Sequence, residues 1–462
     1  MPINPHIFRA YDIRGLVDSD LTPDTMYAIA RGYATYMKRT YGAKRLACGR
    51  DNRTHGESLQ QAFIAGLLAC GCEVMNVGMV TSPMLYYATC VYDVDGGVNI
   101  TASHNPKEYN GAKFVGKKAH SVCGDEIQKI LKLIEEEDFD DGMAMPDALF
   151  QKNIFPDYLA DITKRVSLSK PHSVVIDAGN GITGIFAPEI FRALGCTVIE
   201  QHCELDGNFP HHEANPEHEE NMEDVKKIVI DQKADIGFSF DGDGDRVGVV
   251  DETGTFRNAD YFLIPLARDL LTRHPGAEII FDTKTSKVVE DDILAHGGKP
   301  VRFKTGHSFI ETRMRETGAL LAGETSGHLF FAENFFGFDD AMYAACKLLE
   351  VADRAGHSFS KFFDGLPKVY NTPEIKVSCG DDRKFQVVED VKSFFIKRYP
   401  CLTIDGVWVD YGNGAWMTVR ASNTSPFLTL RFEARDEKTM ELMKSIMYSK
   451  LKEYPEITIA NI

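Results

Sequence analysis

Three short apolar runs stand out along the chain, RLACGRDNR from Arg45, SVVIDAGNG from Ser173 and EIIFDTKTS from Glu278, each ending in a polar turn. Runs of this length bounded by turn residues predict buried strands. Each is followed by a helix-like stretch and then by a second strand introduced by glycine: GCEVMNVG, GCTVIEQH and GGKPVRFKTG. The order strand, helix, strand therefore recurs three times, with the opening strands offset by 174 − 46 = 128 and 279 − 174 = 105 residues. Such alternation predicts parallel strands joined by right-handed crossovers. Each unit continues to a further strand and then into an unusual loop: GGVNITASHNP, ADIGFSFDGDGDR and GALLAGETSGH. Loops at the carboxyl ends of such strands are where open α/β sheets bind ligands, so three equivalent loops are expected to face one cleft.

From about Leu366 the pattern changes to a strand, a helical stretch over 382–398, three strand-like runs (CLTIDGVWVD, GAWMTVRAS, FLTLRFEA) and a last helix from Asp436. That reads as an antiparallel α+β module, not a fourth copy of the repeat. Polar, turn-rich stretches put boundaries near 150, 254 and 366, giving α/β domains at 1–150, 151–254 and 255–366 and a C-terminal α+β domain at 367–462. Length alone, 462 residues, suggests about three domains.

Composition narrows the class of protein. Hydrophobic residues are 44% and charged residues 26%, which excludes wholesale disorder. Lys plus Arg number 51 against 68 Asp plus Glu, a formal charge of −17, so nucleic acid and anionic membrane are disfavoured as partners unless positive charge is concentrated locally. The ten cysteines are scattered without a CxxC pair, as expected of reduced structural thiols. The opening MPINPHIFRAYDIRG lacks the basic start and apolar run of a secretory signal, and no stretch is apolar enough to span a membrane. The cytoplasm is the expected compartment.

The loops carry the chemistry. Asp241, Asp243 and Asp245 alternate with Gly242 and Gly244 directly after an apolar strand. Three carboxylates on one tight turn repel one another unless a divalent cation neutralises them, which predicts a magnesium site open to a phosphate. Glu252 falls at the twelfth position of an EF-hand calcium loop, but position six is Arg246 where that loop requires glycine. Ser103 lies in TASHNPKEYNGAKF with His104 and Lys113 nearby. No G-x-S-x-G elbow is present, and adjacent side chains are expected to diverge, so acyl transfer is disfavoured. A serine facing a metal held by three aspartates has instead the parts for phosphoryl transfer. In GETSGH, Glu324 and Ser326 can project to one face and bond vicinal hydroxyls. RASNTSP, with Arg420, Ser422, Asn423 and Thr424 between two strands, makes either a polar hairpin or a phosphate cradle. TGHSF, with Thr305, Gly306 and His307, is by itself no more than a loop with a core or surface histidine.

Together FRAYDIRG, TASHNP, DGDGDR, GETSGH and RASNTSP resemble the α-D-phosphohexomutase superfamily in order and approximate spacing, from Phe8 to about Ala434. Within it the chain looks most like the phosphomannomutase/phosphoglucomutase group. Thr325 stands where phosphoglucosamine mutases usually have Gln, and Asn423, Thr424 and Ser425 replace their Gly-Thr-Glu loop. The resemblance implies three related α/β domains with mixed sheets and a smaller C-terminal domain around a central cleft. It implies Ser103 as a phosphoserine, a ligand of Mg2+ together with Asp241, Asp243 and Asp245, and Glu324 and Ser326 as sugar contacts. It makes Arg420, Ser422, Asn423 and Thr424 the holders of the substrate's phosphate, and lines the cleft with Arg9, Tyr11, Arg14, His104, Lys113, Arg246, Lys284, Thr305, Gly306, His307 and His328. The implied activity interconverts hexose 1- and 6-phosphates, of mannose and also glucose, through glucose or mannose 1,6-bisphosphate, with Lys113, His104 or His307 as base. A mutase for glucosamine phosphate or for glucose phosphate alone is the alternative, followed by a non-catalytic phosphosugar-binding relative. The family contains both monomers and dimers.

Overall fold

All three apolar runs become strands in the computed structural model, which describes residues 3–143, 147–422 and 426–457. The chain forms two compact units, Met1–Leu266 with Glu311–Phe362, and Ala267–Ile310 with Phe363–Ile462. In the first, β1 (Ile13–Leu16), β2 (Arg45–Arg50), β3 (Glu73–Met79), β4 (Gly96–Ile100), β5 (Tyr109–Gly116) and β6 (Leu149–Gln151) form a sheet ordered β1-β5-β4-β2-β3-β6. β2 lies parallel to β3 and β4, while β5 runs antiparallel to both β4 and β1. A second sheet is built from β7 (Ser173–Asp177), β8 (Thr197–Gln201), β9 (Ile236–Phe240), β10 (Val247–Asp251) and β11 (Phe256–Arg257), ordered β11-β10-β9-β7-β8. The segments β5-β4-β2-β3 and β10-β9-β7-β8 have the same order and sense, the structural counterpart of the sequence repeat. β4 and β9 are buried along their whole length, which is why they read as mostly apolar runs without a regular polar alternation, broken only by Asn99 and Ser239.

Local chemistry sets the helix limits. In α1 (Pro23–Tyr41), Thr22 caps the start by accepting from the Thr25 N–H, Pro23 supplies a pre-set φ, and Gly42 ends the helix in the left-handed conformation. α2 (Gly56–Ala69) packs beside it, α3 (Ser82–Val91) begins behind a Thr81 cap, and α4 (Asp125–Glu135) buries Ile127, Ile130, Leu131 and Ile134 at helical spacing. Tyr33 sits at the centre of this core, its ring 4.7 Å from Phe114 and its hydroxyl within hydrogen-bond reach of the carbonyls of Val115 at 2.9 Å and Gly97 at 3.1 Å. The first unit also contains the antiparallel pair Leu321–Gly323 and Leu329–Phe331, joined by the loop that carries Glu324 and Ser326.

In the second unit, Glu278–Asp282 pairs in parallel with Lys299–Phe303. The C-terminal part is wholly antiparallel, in the order Tyr370–Asn371, Phe427–Ala434, Ala415–Ala421, Val407–Gly412, Cys401–Leu402, with Ile375–Ser378 also on Phe427–Ala434. Helices Lys384–Ile396 and Glu437–Leu451 cover one face with Val387, Val391, Phe395, Met443 and Met447 against Val407, Met417, Leu430 and Phe432. On Trp408, Trp416 and Phe281 the Arg302 guanidinium is stacked, 4.8 Å from the Trp408 ring centre, and it donates to the carbonyls of Thr283 and Thr285 that flank Lys284. All ten cysteines are free thiols. Among the described residues no helix is long and apolar enough to cross a membrane.

Candidate active site

β4 delivers Ser103 into a buried loop, where its φ of 52° places a non-glycine residue in the left-handed region. The Ser103 N–H donates to Thr101 Oγ1 at 2.9 Å, and Oγ donates to Asp241 Oδ2 at 2.8 Å. Oγ also lies 3.0 Å from His104 Nδ1. The divergence expected of adjacent side chains therefore does not occur, because the left-handed turn at Ser103 brings both to one side. Burial pushes His104 well below the ordinary histidine range, and the charges of Arg246 and Arg14 act the same way, so its imidazole is neutral at neutral pH.

The aspartate loop connects β9 to β10. Asp241 Oδ1 accepts from the backbone N–H groups of Gly244, Asp245 and Arg246 at 3.0, 3.0 and 3.1 Å, which closes the turn. Gly242 is required by proximity, since a Cβ there would lie 2.4 Å from the Ser103 carbonyl oxygen, and Gly244 by its φ of +78°. Lys113 Nζ pairs with Asp243 Oδ2 at 2.7 Å and with Asp245 Oδ2. Burial opposes its charge, yet Asp243 and Asp245 hold it well above the ordinary lysine range. Burial and the Asp245 and Asp243 charges push Asp241 up, whereas at Asp245 Lys113 and His328 overcome burial and hold the carboxyl well below its ordinary range.

These residues fit a hard divalent cation. The three carboxylates offer oxygens within 4.8 Å of one another, and Asp243 Oδ1 is buried with no hydrogen-bond partner. Ser82, at the start of α3, orients the same side chain by donating to Asp243 Oδ2 at 2.6 Å, and Asn99 donates to Ser82 Oγ at 3.0 Å. Glu252, the residue at the calcium-loop position, instead bonds the Ser360 N–H at 3.2 Å.

In the loop between Leu321–Gly323 and Leu329–Phe331, His328 gathers Glu324 and Ser326. Its Nδ1 is 3.1 Å from Glu324 Oε2 and 3.0 Å from Ser326 Oγ, while Nε2 faces Asp245 Oδ1 at 3.4 Å and lies 3.3 Å from Arg246 Nε. Burial opposes the imidazolium, but Asp245 raises its pKa to about 10. The amino-terminal motif reaches the same region: Arg14 donates to Asp12 at 2.7 Å and to Asn105 Oδ1 at 2.5 Å. Burial and Asp12 push the Tyr11 hydroxyl up, and Arg9 is half-buried with its N–H on the Asp12 carbonyl. Arg246 is held fully charged by Asp241 and Asp245 against the effect of burial.

The second unit holds the remaining candidates. Asp405 Oδ2 accepts from Arg420 Nε at 2.7 Å and from the Thr305 N–H at 3.1 Å, joining the TGHSF and RASNTSP segments. Gly306 precedes buried His307, which opens the helix His307–Thr317. Lys384 Nζ donates to the Ser422 carbonyl at 2.7 Å, and Asn423 and Thr424 lie outside the described residues. Lys284 Nζ pairs with Glu374 Oε2 at 2.9 Å. Burial would raise Glu374, but Lys284 and Arg420 hold it at about 2, below its ordinary 4.5. The folded form then binds fewer protons than the unfolded one between these values. Its stabilisation is complete above about pH 4.5 and is lost as pH falls towards 2, at most about 3 kcal/mol. Denaturant titrations between pH 7 and 2.5 are expected to show this loss, and Glu374→Gln to flatten it.

Arg53, Ser82, Lys384, Asp405 and Glu374 escape a motif reading because each acts on a loop distant in sequence. The one available signal is GRDNR, charged residues at the end of a buried strand, which must find partners.

Known proteins resemble the chain along nearly its whole length. Models of phosphoglucomutase/phosphomannomutase α/β/α domains I, II and III match residues 5–141, 156–254 and 258–370, and that of the C-terminal domain matches 374–449. A phosphomannomutase/phosphoglucomutase of Pseudomonas aeruginosa is 44% identical over 447 residues, covering 96% of this chain and 95% of that protein. A phosphoglucomutase of Neisseria gonorrhoeae is 41% identical over 461 residues, 98% of each. A crystal structure of a phosphoglucomutase/phosphomannomutase family protein from Burkholderia thailandensis superposes with a TM-score of 0.91 at 36% identity, covering 98% of both chains. With all four domain models matched in order along nearly the whole chain, this protein belongs to the phosphoglucomutase/phosphomannomutase family.

Proposed function

We propose that the protein is a phosphohexomutase interconverting the 1- and 6-phosphates of mannose and glucose through a phosphorylated Ser103. The observation that carries this reading is the Ser103 hydroxyl, 2.8 Å from one of three buried, converging aspartates. In the forward step the bond from Ser103 Oγ to phosphorus breaks and one from phosphorus to the free sugar hydroxyl forms, giving a hexose 1,6-bisphosphate. The reverse transfer, from the other phosphate of the reoriented bisphosphate, restores the phosphoserine. Asp241, Asp243 and Asp245 would hold Mg2+, whose role is to neutralise charge on the phosphoryl oxygens. Arg246 adds a fixed positive charge for the same purpose. Of the three candidate bases, His104 is favoured: it is neutral and beside Oγ, whereas Lys113 is held cationic by two carboxylates. Glu324 and Ser326 are assigned to the sugar hydroxyls, and Arg420 and Ser422, with Asn423 and Thr424, to the phosphate already on the sugar.

A coupled assay run side by side with mannose 1-phosphate, glucose 1-phosphate and glucosamine 1-phosphate, with Mg2+ and glucose 1,6-bisphosphate, tests this reading. Mannose and glucose phosphates are expected to turn over within about tenfold of each other, since a site gripping other hydroxyls discriminates weakly at O2. Preference for glucosamine 1-phosphate would replace the assignment with the glucosamine mutase. Absence of turnover on all three would leave a binding protein.

A further inference from the structure

A buried arginine lies behind the serine loop, outside the set of residues assigned to substrate or cation. Arg53 is 2% exposed. Its terminal nitrogens donate to four carbonyls between β4 and the start of β5: Ser103 at 2.9 Å, Asn105 at 2.6 Å, Pro106 at 2.8 Å and, on the first residue of β5, Tyr109 at 3.0 Å. Its Nε lies 3.3 Å from Asp51 Oδ2, and its own N–H donates to Asp51 Oδ1 at 2.9 Å. Asp51 in turn accepts from Thr101 Oγ1 at 2.7 Å, and Thr101 Oγ1 receives the Ser103 N–H. The guanidinium is 5.2 Å from the centre of the Phe209 ring.

This network acts on a conformation that does not hold itself. A left-handed non-glycine residue is disfavoured by about 1–2 kcal/mol, so the loop keeps Ser103 there only if its surroundings over-determine it. The Ser103 carbonyl is fixed on two sides, by Arg53 and by the close approach of Gly242. Resting on the reading that Ser103 carries the phosphoryl group, we propose that Arg53 is a positioning residue. By binding these four carbonyls it holds Ser103 in the conformation that aims Oγ at Asp241. Only a planar fork of donors reaches this many acceptors at once, and a lysine ammonium does not.

The test uses the full-length protein as Arg53→Ala and Arg53→Lys. Each is loaded with glucose 1,6-bisphosphate, the phosphorylated fraction is read by intact mass, and kcat and KM for mannose 1-phosphate are expressed per phosphorylated serine. Arg53→Ala is expected to melt cooperatively and to lose about 100-fold in kcat per loaded serine, with KM within about threefold. Arg53→Lys is expected to lose about tenfold. A cavity of about 200 Å3, lined in part by Arg53, Ser103 and Phe209, adjoins the site, so millimolar guanidinium is expected to restore the alanine variant saturably while ammonium is not. Unchanged kcat per loaded serine in both variants overturns the proposal. So does a loss that only tracks the fraction of folded protein, without guanidinium rescue. If the alanine variant does not fold, the lysine variant decides: a lowered kcat per loaded serine supports the proposal and an unchanged one overturns it. Wild-type turnover without phosphate on Ser103 would refute the phosphoserine reading itself, whatever Arg53 does.

Discussion

Replacing Ser103 with alanine is expected to lower kcat by at least about 10^4-fold, because the covalent carrier is removed and not merely weakened. KM for the sugar phosphate is expected to stay within a few-fold, since the residues assigned to sugar and phosphate lie on other loops. The variant loses the donor that satisfies Asp241 Oδ2, and leaving a buried oxygen without it is worth about 1–3 kcal/mol of stability. Ser103→Thr separates chemistry from geometry. It keeps a hydroxyl, but a β-branched residue at a φ of 52° is strained, so a loss of about 10–100-fold is expected. A coupled assay with glucose 1,6-bisphosphate, together with intact mass, measures both. Wild-type turnover by Ser103→Ala would end the phosphoserine assignment.

The second large effect is expected at Asp243. Asparagine preserves volume, but its NH2 group must face either Lys113 Nζ, donor against donor, or the position of the cation. Either way the site loses a charge that the Asp243 Oδ1 atom, buried without a hydrogen bond, would otherwise direct at the metal. Asp243→Asn is expected to lower kcat by about 10^2–10^3-fold and to shift the magnesium activation curve at least about tenfold higher. Its melting temperature in EDTA is expected to change little, because weaker pairing with Lys113 is offset by relief of repulsion with Asp241. An unaltered magnesium curve would remove Asp243 from the ligand set.

The sequence made the central strands legible for a physical reason: a strand covered on both faces has few polar positions, so the apolar runs VVI and IGF mark VVID and IGFSF as buried strands. The repeat was legible because each strand ends in glycine and polar residues. The two-unit grouping was not, because each unit joins segments far apart in the chain. At the site, Asp241, Asp243 and Asp245 declared themselves by charge density on one turn. The pairing of Ser103 with His104 did not, since nothing in the letters marks a serine with positive φ. Arg53 was hidden for a related reason: the carbonyls it binds begin 50 residues downstream, and only folding brings them to it.

Cations in each of the two units share a feature whose meaning reaches beyond any one of them. Lys113 is paired with Asp243, His328 with Glu324, Lys284 with Glu374 and Arg420 with Asp405. Each of these four cations is thus already balanced by a tethered carboxylate, and an anion that binds it must displace that carboxylate or share the cation with it. A doubly charged phosphate, able to accept several charge-assisted hydrogen bonds, competes for such a cation better than chloride or acetate. A chain with a formal charge of −17 can in this way keep strongly basic groups at work without being clogged by the common anions around it.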